Sequence, residues 1–314
     1  MYKYIIKKTL HLVIVLFGVS IITFILTNYI QGNPAASVVS DMGLDLTKEN
    51  VEDMEFVLGL KENKFRQYVK WLKGVLRGDL GKSYISKESV TKELGFRFLI
   101  TVKVTVLAYL LSVCISIPLG ILLALNKYKV LNKAINGIIF IFMSIPSFVL
   151  GLTLVYFISV KFKLLPFIGL ASWKNYILPL MTLSLPMICR YTRLVKSNLN
   201  NVMGEDFVFL LRSKGYREKT ILRKHVLKNA MLPIISVLGL GFGSMIGGSI
   251  IVENIFSIPG IGSFLLLSIS NRDYPVILGY ILIMSVVFVF VNYFIDIISV
   301  FIDPRIRLKG IKNE

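Results

Sequence analysis

The chain has 314 residues, of which 55% are hydrophobic and only 17% charged, with a mean hydropathy of +0.72. Soluble domains carry nearer to about 25% charge, so a soluble enzyme or binding domain is excluded and the class is integral membrane. Cys114 and Cys189 both lie in apolar runs, which leaves no disulfide framework or metal-ligand spacing and predicts core packing for each.

Spanning helices need about 20 mostly apolar residues to cross the hydrocarbon layer. Thr9 to Ile30 is the first such run and carries no charge. Lys3, Lys7 and Lys8 precede it as in a secretory signal, but its length and the lack of a small-residue cleavage pattern predict a retained helix. A long polar segment follows, from Gln31 to Phe98, with eleven basic and ten acidic residues. It is amphipathic in places, as in "FRQYVKWLKGVL", and is expected to fold as small interfacial helices over the outer mouth.

The next run, Leu99 to Leu125, contains only Lys103, placed near one end where it can snorkel outward. Ile135 to Val160 is uncharged, and Pro146 within it must kink or end its helix because proline lacks a backbone donor. Tyr176 to Cys189 is short, holds Pro179 and Pro186, and is expected to borrow length from "RYTRLVKSNL", with Arg190 and Arg193 snorkelling to the interface. Ala230 to Val252 is uncharged, and Val276 to Ile302 carries only Asp296, expected to pair with Arg305 or Arg307. Six spans result.

Lysine and arginine in the connecting segments orient the spans. The N-terminus, 126–134, 190–229 and the tail from Asp303 carry +3, +3, +7 and +2, together +15. The alternate segments 31–98, 161–175 and 253–275 carry +1, +3 and −1. Both termini and the long basic loop are therefore expected in the cytoplasm. The overall charge of +18 is a topology signal, with nucleic-acid binding the weaker reading.

That topology disposes of "GDLGKSY". Gly81-Lys82-Ser83 is the second half of a phosphate-binding loop, but the first glycine should stand at position 76, which is Leu76, and no buried strand leads in. The stretch also falls in the first outer loop. Any ATP-driven work needs a partner that brings the nucleotide.

The cytoplasmic segment Gly204–Pro233 reads as two short amphipathic helices divided at Gly215. "EDFVFLLRSK" places Phe207, Leu210 and Leu211 on one face, with Glu205 and Asp206 in the first turn and Arg212 and Lys214 in the last, as the helix dipole favours. Gly215 suits the left-handed residue that ends a helix. The residues alone leave two readings open: a helix lying on the headgroups, or a docking element inserted into a groove on another protein.

Asp206, Arg212-x-Lys214-Gly215 and Asn229-Ala230-x-Leu232-Pro233 resemble the coupling-loop signature of ATP-binding cassette (ABC) importer permeases. Along nearly its whole length the chain is similar to the dipeptide/oligopeptide/nickel permease family. The stretches that carry the likeness, in order, are "GVSIITFILTNYIQGNPA", "GDLGKSY", "IPLGI", "SIPSFVLGL", "LPFIGL", "ILPLMTLSLP", "GGSIIVENIFSIPGIG", "NRDYPVI" and "DPRIRL". One departure is "FVFLLRSKG", where bulky Phe209 and Leu211 stand in positions the family more often fills with small or basic residues.

The resemblance implies an all-α integral membrane fold of the type I ABC importer permease, with six transmembrane helices. Residues 1–98 hold the first helix and outer loop, 99–302 the permease core with its coupling loop at 197–229, and 303–314 a cytoplasmic tail. It implies a non-enzymatic subunit in a bacterial inner membrane, with neither cofactor nor metal of its own. Its partners would be a second homologous permease in a heterodimer, two ATPase subunits that bind ATP and Mg²⁺, and an outer solute-binding protein. Glu205, Asp206, Phe207, Leu210, Leu211, Arg212, Lys214 and Gly215 would couple to the ATPases. Cargo would be oligopeptide, nickel or a metal chelate, and "IIVENIFSIPG", the short loop 161–175 and "NRDYPVI" lean to nickel.

Other residues carry paired readings. Gly239, Gly241, Gly243, Gly247 and Gly248 permit close helix approach, either within the chain or as a gliding surface at the pathway or subunit interface. Pro146 and Ser147 mark an interrupted helix whose carbonyls can face a water-filled path. Glu253 and Asn254 are either solvated at the outer face or line an outer gate. The rival function is an ion-gradient-driven secondary transporter, which would place ionisable groups at mid-membrane and show internal repeats, neither of which appears here.

Overall fold

Proline, glycine and capping residues punctuate a helical chain. The computed structural model describes residues 2–29, 33–125 and 129–302. Helix α1 (Tyr2–Tyr29) is followed by three short helices, α2 (Pro34–Asp41), α3 (Lys48–Val57) and α4 (Lys64–Leu76). Each short helix begins where a side-chain oxygen accepts an orphan backbone N–H. Asn33 caps Ala35 at 2.9 Å, Thr47 caps Asn50 at 3.2 Å and Asn63 caps Phe65 at 3.0 Å. Then come α5 (Val90–Leu125), α6 (Lys129–Ser144) and α7 (Ser147–Leu154), the last continued by a π-helical turn to Lys161. Helix α8 (Lys174–Met203) leads to α9 (Asp206–Ser213) and α10 (Glu218–Ile221), and a second π turn (Leu222–Val226) runs into α11 (Leu227–Ile255). Helices α12 (Ile261–Ser270) and α13 (Tyr274–Ile302) close the described chain.

The all-helical reading holds; among the described residues the nearest thing to sheet is one bridge, Lys82 to Ser89. Val90–Leu125, Pro233–Ile255 and Tyr274–Ile295 are long and apolar enough to cross a membrane. The run Ile135–Val160 is interrupted at Pro146, as expected: a new helix starts there, and the axes on either side differ by 102°. Helix α8 runs unbroken through Pro179, Pro186 and the polar "RYTRLVKSNL" stretch, as expected. The expected pairing of Asp296 with Arg305 or Arg307 lies outside the described residues.

The chain divides into two compact units. The first comprises residues 1–101 and 259–290. In it the Tyr68 hydroxyl lies 2.9 Å from that of Ser20, and the Tyr68 and Trp71 rings lie 5.4 and 6.2 Å from the Phe24 ring, so α4 docks on α1 through aromatic side chains. The "GDLGKSY" stretch finds its use here. Asp273 is 3% exposed, and its carboxylate accepts the Ser83 hydroxyl at 2.5 Å and the Tyr84 N–H at 3.0 Å. The would-be phosphate loop is a latch that fastens the segment before α5 to the start of α13, 190 residues on. Beside it, Arg97 stacks 4.0 Å from the Phe264 ring centre, and the Thr101 hydroxyl accepts the Ile261 N–H at 2.9 Å.

The second unit comprises residues 102–258 and 291–314. Its core joins Tyr191, Val195, Leu199 and Val202 of α8 to Ala230, Ile234 and Leu238 of α11, and takes in Val208 and Ile221 from the connecting loop. Glycine makes the close approach possible. A Cβ on Gly241 would lie 1.7 Å from the Tyr191 hydroxyl oxygen, and one on Gly239 would lie 2.5 Å from Ile295. Cys189 is buried as expected, whereas Cys114 is exposed on α5. Lys103 is also exposed, its ammonium 5.2 Å from the Tyr176 ring centre.

Candidate functional site: the loop helix and the small-residue face

Helix α9 forms where the sequence asks for it. Glu205 occupies the extended N-cap position, Asp206 lies in the first turn and Arg212 in the last. Gly215 takes φ +78°, a left-handed conformation that costs a side-chain-bearing residue. The Tyr216 N–H returns to the Leu211 carbonyl at 3.2 Å and so closes the helix end. Arg212 donates to both carboxylate oxygens of Glu218, at 2.6 and 3.3 Å, which ties α9 to α10 across the turn.

The residue that anchors α9 was missed in the sequence. Val208 is fully buried among α8 and α11, with Phe207 and Leu211 packed half-buried beside it. Leu210 is corrected: it does not share that face but is 54% exposed. At roughly 100° per residue, the direction midway between Phe207, Val208 and Leu211 points away from both Phe209 and Leu210. Phe209, 73% exposed, therefore stands out with Leu210 as an apolar knob flanked by exposed Glu205, Asp206 and Lys214. A cleft of 260 Å³ beneath α9 is lined by Leu125, Met203, Val208, Arg212, Glu218, Lys219, Ile221, Leu222 and Val226.

The remaining candidates divide. Gly239 and Gly241 serve packing within the chain. Gly247 and Gly248 are exposed with open space where a Cβ would be, and Gly243 is half-buried. Pro146 is exposed and Ser147 half-buried at the α6–α7 break. Asn254 is exposed, but Glu253 is not a solvated carboxylate: it is 1% exposed and accepts the Ser249 hydroxyl at 3.3 Å. At the same end of α11 the Ile258 N–H returns to the Glu253 carbonyl at 2.8 Å.

Several apolar helices, three of them long and apolar enough to cross a membrane, with an exposed amphipathic helix in one polar loop, are the arrangement of a multi-pass membrane protein. Comparison with known proteins gives the family. Residues 116–308 match the profile described as binding-protein-dependent transport system inner membrane component, and residues 1–105 match that family's N-terminal profile. The chain is 34% identical to the glutathione transport system permease protein GsiC of Escherichia coli (strain CFT073), over 98% of this chain and all of that one. It is 36% identical to the nickel import system permease protein NikB of Staphylococcus aureus (strain RF122), over 98% of this chain and 92% of that one. Among solved structures it resembles the inward-facing MetNI methionine ABC transporter, with TM-score 0.55 and 20% identity, over 67% of this chain and 96% of that one.

The chain is therefore a multi-pass inner-membrane permease subunit of an ABC importer. It belongs to the dipeptide/oligopeptide/nickel permease family of binding-protein-dependent transporters. This membership sets aside the ion-gradient alternative and implies ATPase and substrate-binding partners.

Proposed function

We propose that this subunit forms half of a translocation pathway and receives the work of ATP hydrolysis through α9. It pairs with a second, homologous permease, and two ATPase subunits that carry the ATP and Mg²⁺ dock beneath the pair. Six helices span the membrane, with both termini and α9 cytoplasmic and the outer binding protein delivering cargo to the opposite face. The observation that carries this reading is the construction of α9: Val208 buried in the α8–α11 core, Phe209 and Leu210 exposed. A push on the exposed side chains reaches the pathway helices without being absorbed by a loose loop.

Glu205, Asp206, Arg212, Lys214 and Gly215 set the helix and its charged rim, and Phe207 and Leu211 bed it against the core. Gly243, Gly247, Gly248, Asn254, Pro146 and Ser147 are assigned to the pathway or the interface with the second permease, and Glu253 supports that end of α11 from within. The cargo is oligopeptide-like or nickel, with "NRDYPVI" and "IIVENIFSIPG" favouring nickel, which would pass hydrated or chelated. The test is uptake by the assembled transporter. Asp206→Ala and Gly215→Val should abolish uptake while the binding protein still captures cargo. Full uptake by both variants would overturn the coupling role. Affinity of the partner binding protein for peptides against nickel settles the cargo.

A further inference from the structure

We infer that α4 is a membrane-surface element, whose exposed apolar stripe lies in the outer leaflet and whose basic stripe lies among anionic phospholipid headgroups. Three sectors follow from its sequence and burial. At roughly 100° per residue, Tyr68, Trp71 and Val75 share one side, and Tyr68 and Trp71 are the residues that meet Phe24 of α1. About a quarter-turn away lie Phe65, Leu72 and Leu76. Phe65 is 72% and Leu76 79% exposed, with Leu72 half-buried between them, so no described residue covers that stripe's two ends. A further quarter-turn on lie Arg66, Lys70, Lys73 and Arg77, all exposed, with Lys70 paired to Glu62 at 2.5 Å. From Lys64 to Arg77 the segment holds five basic residues and no acidic one.

A helix lying in the membrane plane and docked sideways on an upright α1 has this order of faces. The side contact comes first, then the apolar stripe downward, then the basic stripe outward at headgroup level. Ser20 and Phe24 lie nine and five residues before the end of α1, so the Tyr68 and Trp71 side chains meet α1 roughly 8 to 14 Å from that end. At that level α1 itself exposes Ile22 and Ile25, so the exposed stripe of α4 continues a lipid-facing surface. Chemistry separates α4 from its neighbour: α3 carries Glu49, Glu52, Asp53 and Glu55 against Lys48 alone and is unsuited to an anionic leaflet. The inference rests on the proposed topology only for which leaflet is touched.

The test uses the full chain in its assembled transporter, with Cys114 and Cys189 replaced by alanine and single cysteines introduced as Phe65→Cys, Leu76→Cys or Lys73→Cys. Each is spin-labelled in nanodiscs of phosphatidylcholine with or without phosphatidylglycerol. Labels at positions 65 and 76 should be reached by oxygen in preference to a water-soluble nickel chelate, and the label at 73 should show the reverse. Arg66→Gln should lower the lipid-bound share of the Leu76→Cys label about fivefold in phosphatidylglycerol discs and leave it unchanged in phosphatidylcholine. Preferential access of the water-soluble reagent at 65 and 76 overturns the inference. Protection from both reagents also overturns it, since the stripe would then be covered by protein, either the second permease or the binding protein. In sealed vesicles, labelling of Lys73→Cys by an impermeant reagent from the inner side alone would overturn the topology and the leaflet assignment, a failure distinct from loss of lipid contact.

Discussion

Helices α9 and α4 are alike in sequence terms, short amphipathic segments between longer apolar ones, yet they are held in opposite ways. Helix α9 sinks a fully buried valine into the α8–α11 core and stops at a left-handed glycine. Helix α4 has no buried residue and rests on α1 through the half-buried rings of Tyr68 and Trp71. The difference fits the two proposed roles. A helix that passes force to its neighbours needs a rigid seat, and a helix that follows a fluid surface needs only an orientation. Their exposed faces agree: a compact knob of Phe209 and Leu210 in one, a long stripe flanked by basic residues in the other.

Breaking the seat of α9 should have the largest effect. Val208→Asp places an unpaired charge in the core and should cost roughly 3 kcal/mol or more. Uptake should vanish even where the chain still reaches the membrane, and ATPase stimulation by loaded binding protein should vanish with it. The same kind of substitution on the exposed stripe of α4, Leu76→Asp, should leave that stimulation intact, which keeps the two helices distinct. Normal coupling in Val208→Asp would show that α9 is not a rigid lever.

The first unit's firm anchorage is the Ser83–Asp273 latch rather than α4. Asp273→Asn weakens a buried charge-assisted pair and should lower the thermal stability of that module by about 1–3 kcal/mol. The latch also predicts a pH limit. Burial, and after it the charge of Asp273 and the nearby Tyr274, push the Tyr84 phenol from its ordinary 10 up to about 12. The folded protein thus holds that proton more tightly than the unfolded chain. The stabilisation is complete below pH 10 and is lost as pH rises from 10 through about 12. Tyr84→Phe should remove this alkaline loss, as read by thermal melting of the purified transporter across that range. The smallest effect belongs to the exposed Arg212–Glu218 pair: Glu218→Gln should change uptake by less than about twofold.

Much of this was legible in the sequence. Uninterrupted apolar runs marked α5, α11 and α13, and the dipole-matched charges with Gly215 marked α9. What was hidden depended on partners distant in the chain. Val208 looks like one more apolar residue until α8 and α11 close over it. Leu210 satisfies the i, i+3 spacing with Phe207 yet points out, because the helix docks through a neighbouring direction. The five glycines of α11 form one run in sequence, but Gly239 and Gly241 face Ile295 and Tyr191 while Gly247 and Gly248 face open space. Glu253 is buried at a turn, where the Ile258 N–H returns to its carbonyl, that the linear sequence does not display. Pro146 announced a break but not its angle of 102°, nor that Gly151 of α7 would come to lie against Thr182 and Ile255.

The account turns on Phe209 and Leu210 being the grip for the ATPase subunits at the inner face. The direct measurement is labelling of a single Phe209→Cys or Leu210→Cys in a background without Cys114 and Cys189, in sealed vesicles, with an impermeant thiol reagent and with or without bound ATPases. Labelling from the inner side alone, blocked when the ATPases are present, is the predicted result. Labelling from the outer side, or labelling indifferent to the ATPases, would contradict it.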